Sequence, residues 1–245
     1  MLFQPPSSNF SRLSKDFLGT GRKVIAFVSR KVVEIVTNFI NRFRDPVFAS
    51  RYYRYLARQV AMDVGGIDGG KAIVFSAATD MDTSSEVLLM FSHFLQDELS
   101  SSVLIIDATF RNSGLSQLLG LGDREGIVDI LSGDSLHTDF ESITHSLKGR
   151  MSFIASGPVK RSQVPYATEE QVNSLLEVFR SQYDYVILQQ DNLKLDTRYL
   201  PYAKAADLVL LHLEERSTAI ASFDEIKDVL MSHQIRNVKY ILSER

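Results

Sequence analysis

The stretch FSAATDMDTSSEVLLMF, residues 75–91, poses the chemical question. It continues an apolar run, Ala72 to Phe75, and leads into a helical pattern, so its rhythm is strand, tight loop, helix. Phosphate is bound in such a setting, because backbone N–H groups and the positive end of a helix converge there. That chemistry needs glycines to let the backbone curl around the phosphates and a lysine to neutralise them. Residues 76–85 contain neither. They hold instead two carboxylates, Asp80 and Asp82, and the hydroxyls of Thr83, Ser84 and Ser85. The acids favour the positive end of the following helix. Ser84 and Ser85 can contact a phosphate or, the preferred reading, cap a helix starting near Glu86. A third acid, Asp107, ends the apolar run VLIID and opens the polar loop ATFRNSG, where by itself it reads as a carboxylate capping that loop.

Alternating elements must position these groups. From Lys71 onward, apolar runs AIVF, VLIID, MSFIAS, YVIL, DLVLLHL and VKYIL alternate with helical stretches such as SSEVLLMFSHFLQDEL and TEEQVNSLLEVFRSQ. Continuous apolar strands separated by helices are covered on both faces, which predicts an α/β fold with a doubly wound, mostly parallel sheet. Ligands of such sheets sit at the carboxyl ends of the strands, so the loops at 76–85, 107–116, 156–165 and 189–196 should converge on one crevice.

Ahead of this domain, expected over 46–245, a tail rich in Pro, Ser and Asn covers residues 1–20 and an amphipathic helix covers 21–45. In that helix Ile25, Val28, Val32, Ile35, Phe39 and Phe43 recur at steps of three and four, with Arg22, Lys23, Arg30, Lys31, Arg42 and Arg44 between them. It should end before Asp45-Pro46. Three uses compete for residues 22–44: packing on the body or on a partner subunit, docking on a partner's helix, and peripheral contact with an anionic membrane.

The charge distribution agrees with a distinct head. Residues 1–60 carry 11 Lys/Arg against 3 Asp/Glu, which leaves 16 against 27 in the rest of the 245-residue chain. A basic head on an acidic body implies contact with an acidic surface, which can be the body itself, a lipid headgroup layer or a partner. Nothing in the pattern points to nucleic acid. Cysteine is absent, which excludes disulfides and thiolate metal sites. His93, His137, His145, His212 and His233 are scattered and form no metal-ligand spacing. No run approaches the roughly 18 apolar residues of a membrane-spanning helix, and the N-terminus lacks a signal-peptide pattern. The expected location is the cytoplasm, with the inner face of the inner membrane as a candidate surface.

The run VLIIDATFRNSGLSQLLGLGDREGIVDILSGD, Val103 to Asp134, resembles the cytoplasmic kinase domain of bacterial tyrosine kinases, members of the deviant-Walker, MinD-like class of P-loop ATPases. Asp107, Arg111, Leu119, Gly120, Leu121, Gly126, Ile127, Asp129, Leu131 and Gly133 fall in step with that family's pattern. LKGRMSFIASGPV, FRSQYDYVIL and DTRYLPYAKAADLVLLHLEERS continue the match, and ASRYYRYLARQV is similar to the family's E-x-x-R-x-x-R oligomerisation helix. The resemblance covers residues 45–245 and implies a partner among the polysaccharide co-polymerases of capsule and exopolysaccharide export or an adhesive holdfast.

Aligned on that family, the nucleotide motifs are degenerate. The first Walker loop becomes Thr79 to Ser85, with acids at glycine positions, Thr83 at the lysine and Ser84 at the magnesium-ligand position. A carboxylate about 5 Å from a phosphate charge is repelled by about 3 kcal/mol at an effective dielectric near 20, and the lost lysine forfeits a similar attraction. The second motif keeps Asp107 and replaces its second acid with Thr109, and the Walker B aspartate falls at Gln189, a neutral amide unsuited to a magnesium shell. The chain is expected to lack that family's autophosphorylated tyrosine tail, with Tyr240 inside a predicted strand. The expectation is a pseudokinase with no catalytic residue and no bound ATP or Mg²⁺, in which Asp80, Asp82, Thr83, Ser84, Ser85, Asp107, Thr109, Arg111 and Gln189 line a vestigial pocket. An active ATPase or tyrosine autokinase with an unorthodox site and a MinD/ParA-like positioning protein are the alternatives.

In the helix similar to that oligomerisation motif Arg54 matches the first arginine, but Arg51 stands at the glutamate and Ala57 at the second arginine. Arg51 and Arg54 are therefore the candidates for a homo-oligomer contact that lacks the family's usual ion pair. Tyr52, Tyr53 and Tyr55 beside them read as helix packing with solvated hydroxyl tips.

Overall fold

The computed structural model describes residues 28, 30–38, 40–41, 46–65, 69–78, 83–110, 114–132, 140–158, 166–192, 197–215 and 218–243. The tail expected over 1–20 lies outside them, as do Arg22, Lys23, Arg42 and Arg44 of the head.

Helix α1 (30–38) leads to α2 (Pro46–Asp63). The body then runs β1 (Lys71–Ala77), α3 (Thr83–Leu99), β2 (Val103–Ala108), α4 (Gly114–Leu119), α5 (Ile127–Ser132), α6 (Phe140–Ile143), β3 (Thr144–Ser146) and β4 (Met151–Ile154). It continues with α7 (Glu169–Arg180), β5 (Tyr185–Gln190), a 3-10 turn (Thr197–Tyr199), α8 (Leu200–Ala205), β6 (Leu208–Glu214), α9 (Ile220–Ser232) and β7 (Val238–Ser243).

The strands form one sheet in the order β3-β4-β2-β5-β1-β6-β7, parallel except where β3 pairs antiparallel with β4. All six strands expected from apolar runs are present. Strand β3 was not foreseen, because Thr144-His145-Ser146 has no apolar run and pairs only at the edge, through a hairpin turned by Gly149 at φ +69°.

Side-chain alternation divides the core in two. Ile73, Phe75, Ile105 and Ile187 face α1 to α4, whereas Val74, Ile106, Leu188 and Val209 face α5 to α9. Central β5 is buried along its whole length, which explains why its apolar residues run on without polar alternation.

Of the three uses weighed for the N-terminal helix, the described residues display packing on the body. Val28, Val32 and Val36, spaced by four, are buried in the same cluster as Tyr53, Ala57 and Val60 of α2. Helix α2 in turn lies on α3, where Tyr53 stacks on Phe94 with ring centroids 6.2 Å apart. The tyrosine reading needs a correction here: Tyr55 is exposed, but Tyr53 is fully buried, and burial raises its phenol far above the ordinary tyrosine value.

Candidate functional site

Register brings the site together. Phe75 of β1 and Asp107 of β2 both pair with Gln189 of β5, so the three side chains lie in one row at the carboxyl ends of the central strands. Phe75 faces α3, and the alternation of side chains puts Asp107 and Gln189 on that same face. The first turn of α3 stands over this row. Gln189 Nε2 donates to Ser85 Oγ at 2.8 Å, and both residues are buried.

Helix α3 begins at Thr83, which corrects the capping expectation: Ser84 and Ser85 lie inside its first turn, not ahead of it. Ser85 is drawn into the helix because its hydroxyl serves the neighbouring strand. Asp80, Asp82 and Arg111 lie outside the described residues, as does the side chain of Thr83.

Asp107 has no exposed surface. One carboxylate oxygen accepts from the Thr109 backbone N–H at 3.0 Å and from the Thr109 hydroxyl. The other accepts from the Ser116 backbone N–H at 2.7 Å and the Ser116 hydroxyl at 2.6 Å. Ser116 Oγ in turn accepts from the Ser156 N–H at 2.9 Å, tying α4 to the loop after β4. A carboxylate offers about four lone-pair sites, and protein donors occupy four here. Burial pushes the Asp107 carboxyl above its ordinary range, and the Ser116 and Thr109 hydrogen bonds pull it back part of the way. Chemically this is a structural acid that closes two loops, the capping role read from its place at the strand end.

Gly114 completes the closure. A Cβ there would lie 3.1 Å from Gln189 Nε2, Ser85 Oγ and Thr109 Oγ1 alike, so the backbone opening α4 is seated directly on the three polar groups. The loop after β5 is fastened too: Tyr199 donates its hydroxyl to Asp191, accepts from the Phe110 N–H at 3.4 Å and stacks on the Phe110 ring. Gln189 Oε1 and both polar atoms of Gln190 are buried without a protein partner. Among the described residues no cluster of three or more His, Asp or Glu is arranged to hold a metal ion.

Ser116, Ser156, Gly114 and Tyr199 were not singled out in the sequence. Ser116 is nine residues beyond the acid it serves, and no local pattern announces such a bond. Gly126, in contrast, stood in the quoted motif, and its reason is now visible: a Cβ there would come within 2.0 Å of the Ala155 carbonyl oxygen.

Of the oligomerisation candidates, Arg51 and Arg54 are both exposed, and Arg54 also engages the body. Arg54 pairs with Glu98, lies 3.6 Å from Asp97 and covers the Phe94 ring at 5.2 Å. Arg58 joins the same acid at 2.6 Å. Burial works upward on the Glu98 carboxyl, but hydrogen bonds from Arg58 and Arg54 outweigh it and hold the group below its ordinary value.

No family model matches the sequence. The chain is 29% identical over 140 residues to a protein of Ralstonia nicotianae described as "Putative tyrosine-protein kinase EpsB", covering 56% of this chain and 18% of that protein. A namesake from Ralstonia solanacearum is 30% identical over 138 residues, with the same coverage. The chain thus spans about a fifth of the length of these relatives, 18% in each case. Among solved structures, the kinase domain of the Escherichia coli tyrosine kinase ETK superposes with a TM-score of 0.67 at 18% identity, over 80% of this chain and 75% of that one. The BceF tyrosine kinase domain gives 0.64 at 18% identity, over 82% and 78%. The MinC:MinD cell division complex of Aquifex aeolicus gives 0.56 at 21% identity, over 70% and 68%. The chain is similar in sequence to bacterial tyrosine kinases and has the P-loop NTPase fold that their kinase domains share with MinD.

Proposed function

We infer that the chain is a pseudokinase: a tyrosine-kinase-like domain that neither binds ATP·Mg²⁺ nor transfers phosphate, and that acts through protein contacts. The observation that carries this reading is the hydrogen bonding of Asp107, whose acceptor sites are all engaged by Thr109 and Ser116. An acid so occupied has nothing left to offer a metal shell or an attacking hydroxyl. Gln189 supports the reading, since its amide N–H meets Ser85 directly where a magnesium site needs oxygen ligands. The acids and the missing lysine of residues 79–85 add an electrostatic barrier to a polyphosphate.

The sequence similarity to EpsB proteins supports a place in bacterial envelope polysaccharide biosynthesis or export, as a regulatory or scaffolding subunit beside a co-polymerase. Equilibrium binding of ATP with Mg²⁺ to the purified protein, paired with a phosphotyrosine assay, tests the central claim. No saturable binding and no phosphorylation are expected; micromolar affinity with tyrosine phosphorylation overturns it. The MinD-like likeness supports a second reading, a membrane-positioning protein. Against it, the apolar stripe Val28, Val32 and Val36 is already spent in the core.

A further inference from the structure

A cavity of about 380 Å³ opens at the end of the sheet remote from the crevice. Helices α8 and α9 end there, α7 begins there, and the chain turns into β7. Its polar lining is Glu169, Lys204, His233, Gln234, Arg236 and Asn237, with two alanines and Ile235 supplying an apolar wall.

Three observations give this cavity a chemical preference. Lys204 and Arg236 oppose a single carboxylate, Glu169, which lies 3.5 Å from Lys204. Arg236, exposed at the cavity, has no ion pair among the described residues, so its guanidinium is available to an anion. Asn237 is already committed, its amide donating to the Asp207 carbonyl.

The third observation is conformational. Helix α9 closes with paired bonds from Gln234 N–H to the Met231 carbonyl at 3.0 Å and from Ile235 N–H to the Leu230 carbonyl at 2.9 Å. That closure puts its central residue in the left-handed region, where glycine is the usual occupant. Here it is Gln234, at φ +62°. A side chain at this position is strained, and such strain points to a use for the side chain. Gln234 is exposed and is one of the residues lining the cavity.

We propose that this cavity binds a small phosphomonoester. Arg236 grips the phosphoryl group, since its planar fork matches two phosphate oxygens at once. The Gln234 amide and His233 add donors to the same group, and the carbon skeleton rests against Ile235 and the alanines. Lys204 can turn from Glu169 to the anion at little cost, because a solvated ion pair of this kind is weak. The volume exceeds what a bare phosphate fills and suits a sugar-sized skeleton. This site is independent of the nucleotide crevice and of the reading given above.

The test titrates glucose 6-phosphate and inorganic phosphate into the full chain by calorimetry, with chloride at matched ionic strength as the reference. Saturable binding of glucose 6-phosphate, tighter than that of phosphate, is expected. Arg236→Gln should weaken it about tenfold. Gln234→Gly should raise the melting temperature and at the same time weaken binding, a combination that a purely structural role cannot produce. An absence of saturable binding beyond the chloride reference overturns the proposal, as does unchanged affinity in Arg236→Gln or in Gln234→Gly.

Discussion

Two loops at the carboxyl ends of the strands have met different fates. The segment from Gly120 to Ser132 matches the kinase-like pattern at Gly120, Leu121, Gly126, Ile127, Asp129 and Leu131, whereas the segment from Thr79 to Ser85 holds no glycine and no lysine. The difference lies in what each loop answers to. Gly126 passes so close to Ala155 that no side chain fits, and Gly157, at φ +89°, would put a Cβ 2.4 Å from Val128 Cγ1. Asp129 closes the same turn by accepting from the Gly126 N–H at 2.8 Å. Those glycines are held by the protein's own packing. The glycines of a phosphate loop answer to the phosphate they cradle, and on the pseudokinase reading proposed above nothing in the fold requires them. On that reading a loop supported by packing is kept, and a loop supported by a ligand is not.

The comparison can be broken by mutation, and the largest effect belongs to the packed loop. Gly126→Ala drives a methyl into the Ala155 carbonyl and should cost about 3 kcal/mol in urea unfolding, or prevent folding. A tolerated alanine would show that this loop is no more constrained than its neighbour.

Next in size is a pH effect at the same end of the sheet. His212 pairs with Ala77 at the end of β1 and shares a 2.7 Å hydrogen bond with Ser243. Burial lowers its pKa from 6.5 to about 4. Above pH 6.5 the ring is neutral in both the folded and unfolded chain, so it has no pH-dependent effect there. Between 6.5 and 4 only the unfolded chain takes up the proton, so stability should fall by about 3 kcal/mol as pH drops through that window. Chemical denaturation across the window measures this, and His212→Gln should flatten that part of the profile.

Asp107→Asn sharpens the contrast further. It keeps the volume but turns an acceptor into a donor facing Thr109 or Ser116, and about 2 kcal/mol should be lost. In a catalytic acid the same change abolishes activity with little effect on folding, so a stable but inactivated variant would return Asp107 to chemistry. The smallest effect is expected for Gln189→Ala, which removes one hydrogen bond to Ser85 and should cost about 1 kcal/mol in thermal unfolding.

Much of the fold was legible in the chain because buried parallel strands leave long apolar runs, and all six such runs became strands. Edge strand β3 was illegible, since its pairing draws on the neighbouring strand and not on its own residues. The start of α3 was read a few residues late, because Ser85 bonds to Gln189, 104 positions away, and serine before a helix otherwise signals a cap. The pairing of Arg54 with Glu98 was illegible as well, since only the packing of α2 on α3 brings the two side chains together.

The sequence by itself determined the layered α/β architecture and the absence of lysine and glycine from residues 76–85, because both follow from residue type and order along the chain. Tertiary structure alone decided that Asp107 spends its acceptors on Thr109 and Ser116, that Gln189 meets Ser85, and that Val28, Val32 and Val36 lie in the core. Those outcomes depend on which distant groups the sheet register and helix packing bring within hydrogen-bonding or van der Waals reach, a property that no local pattern encodes.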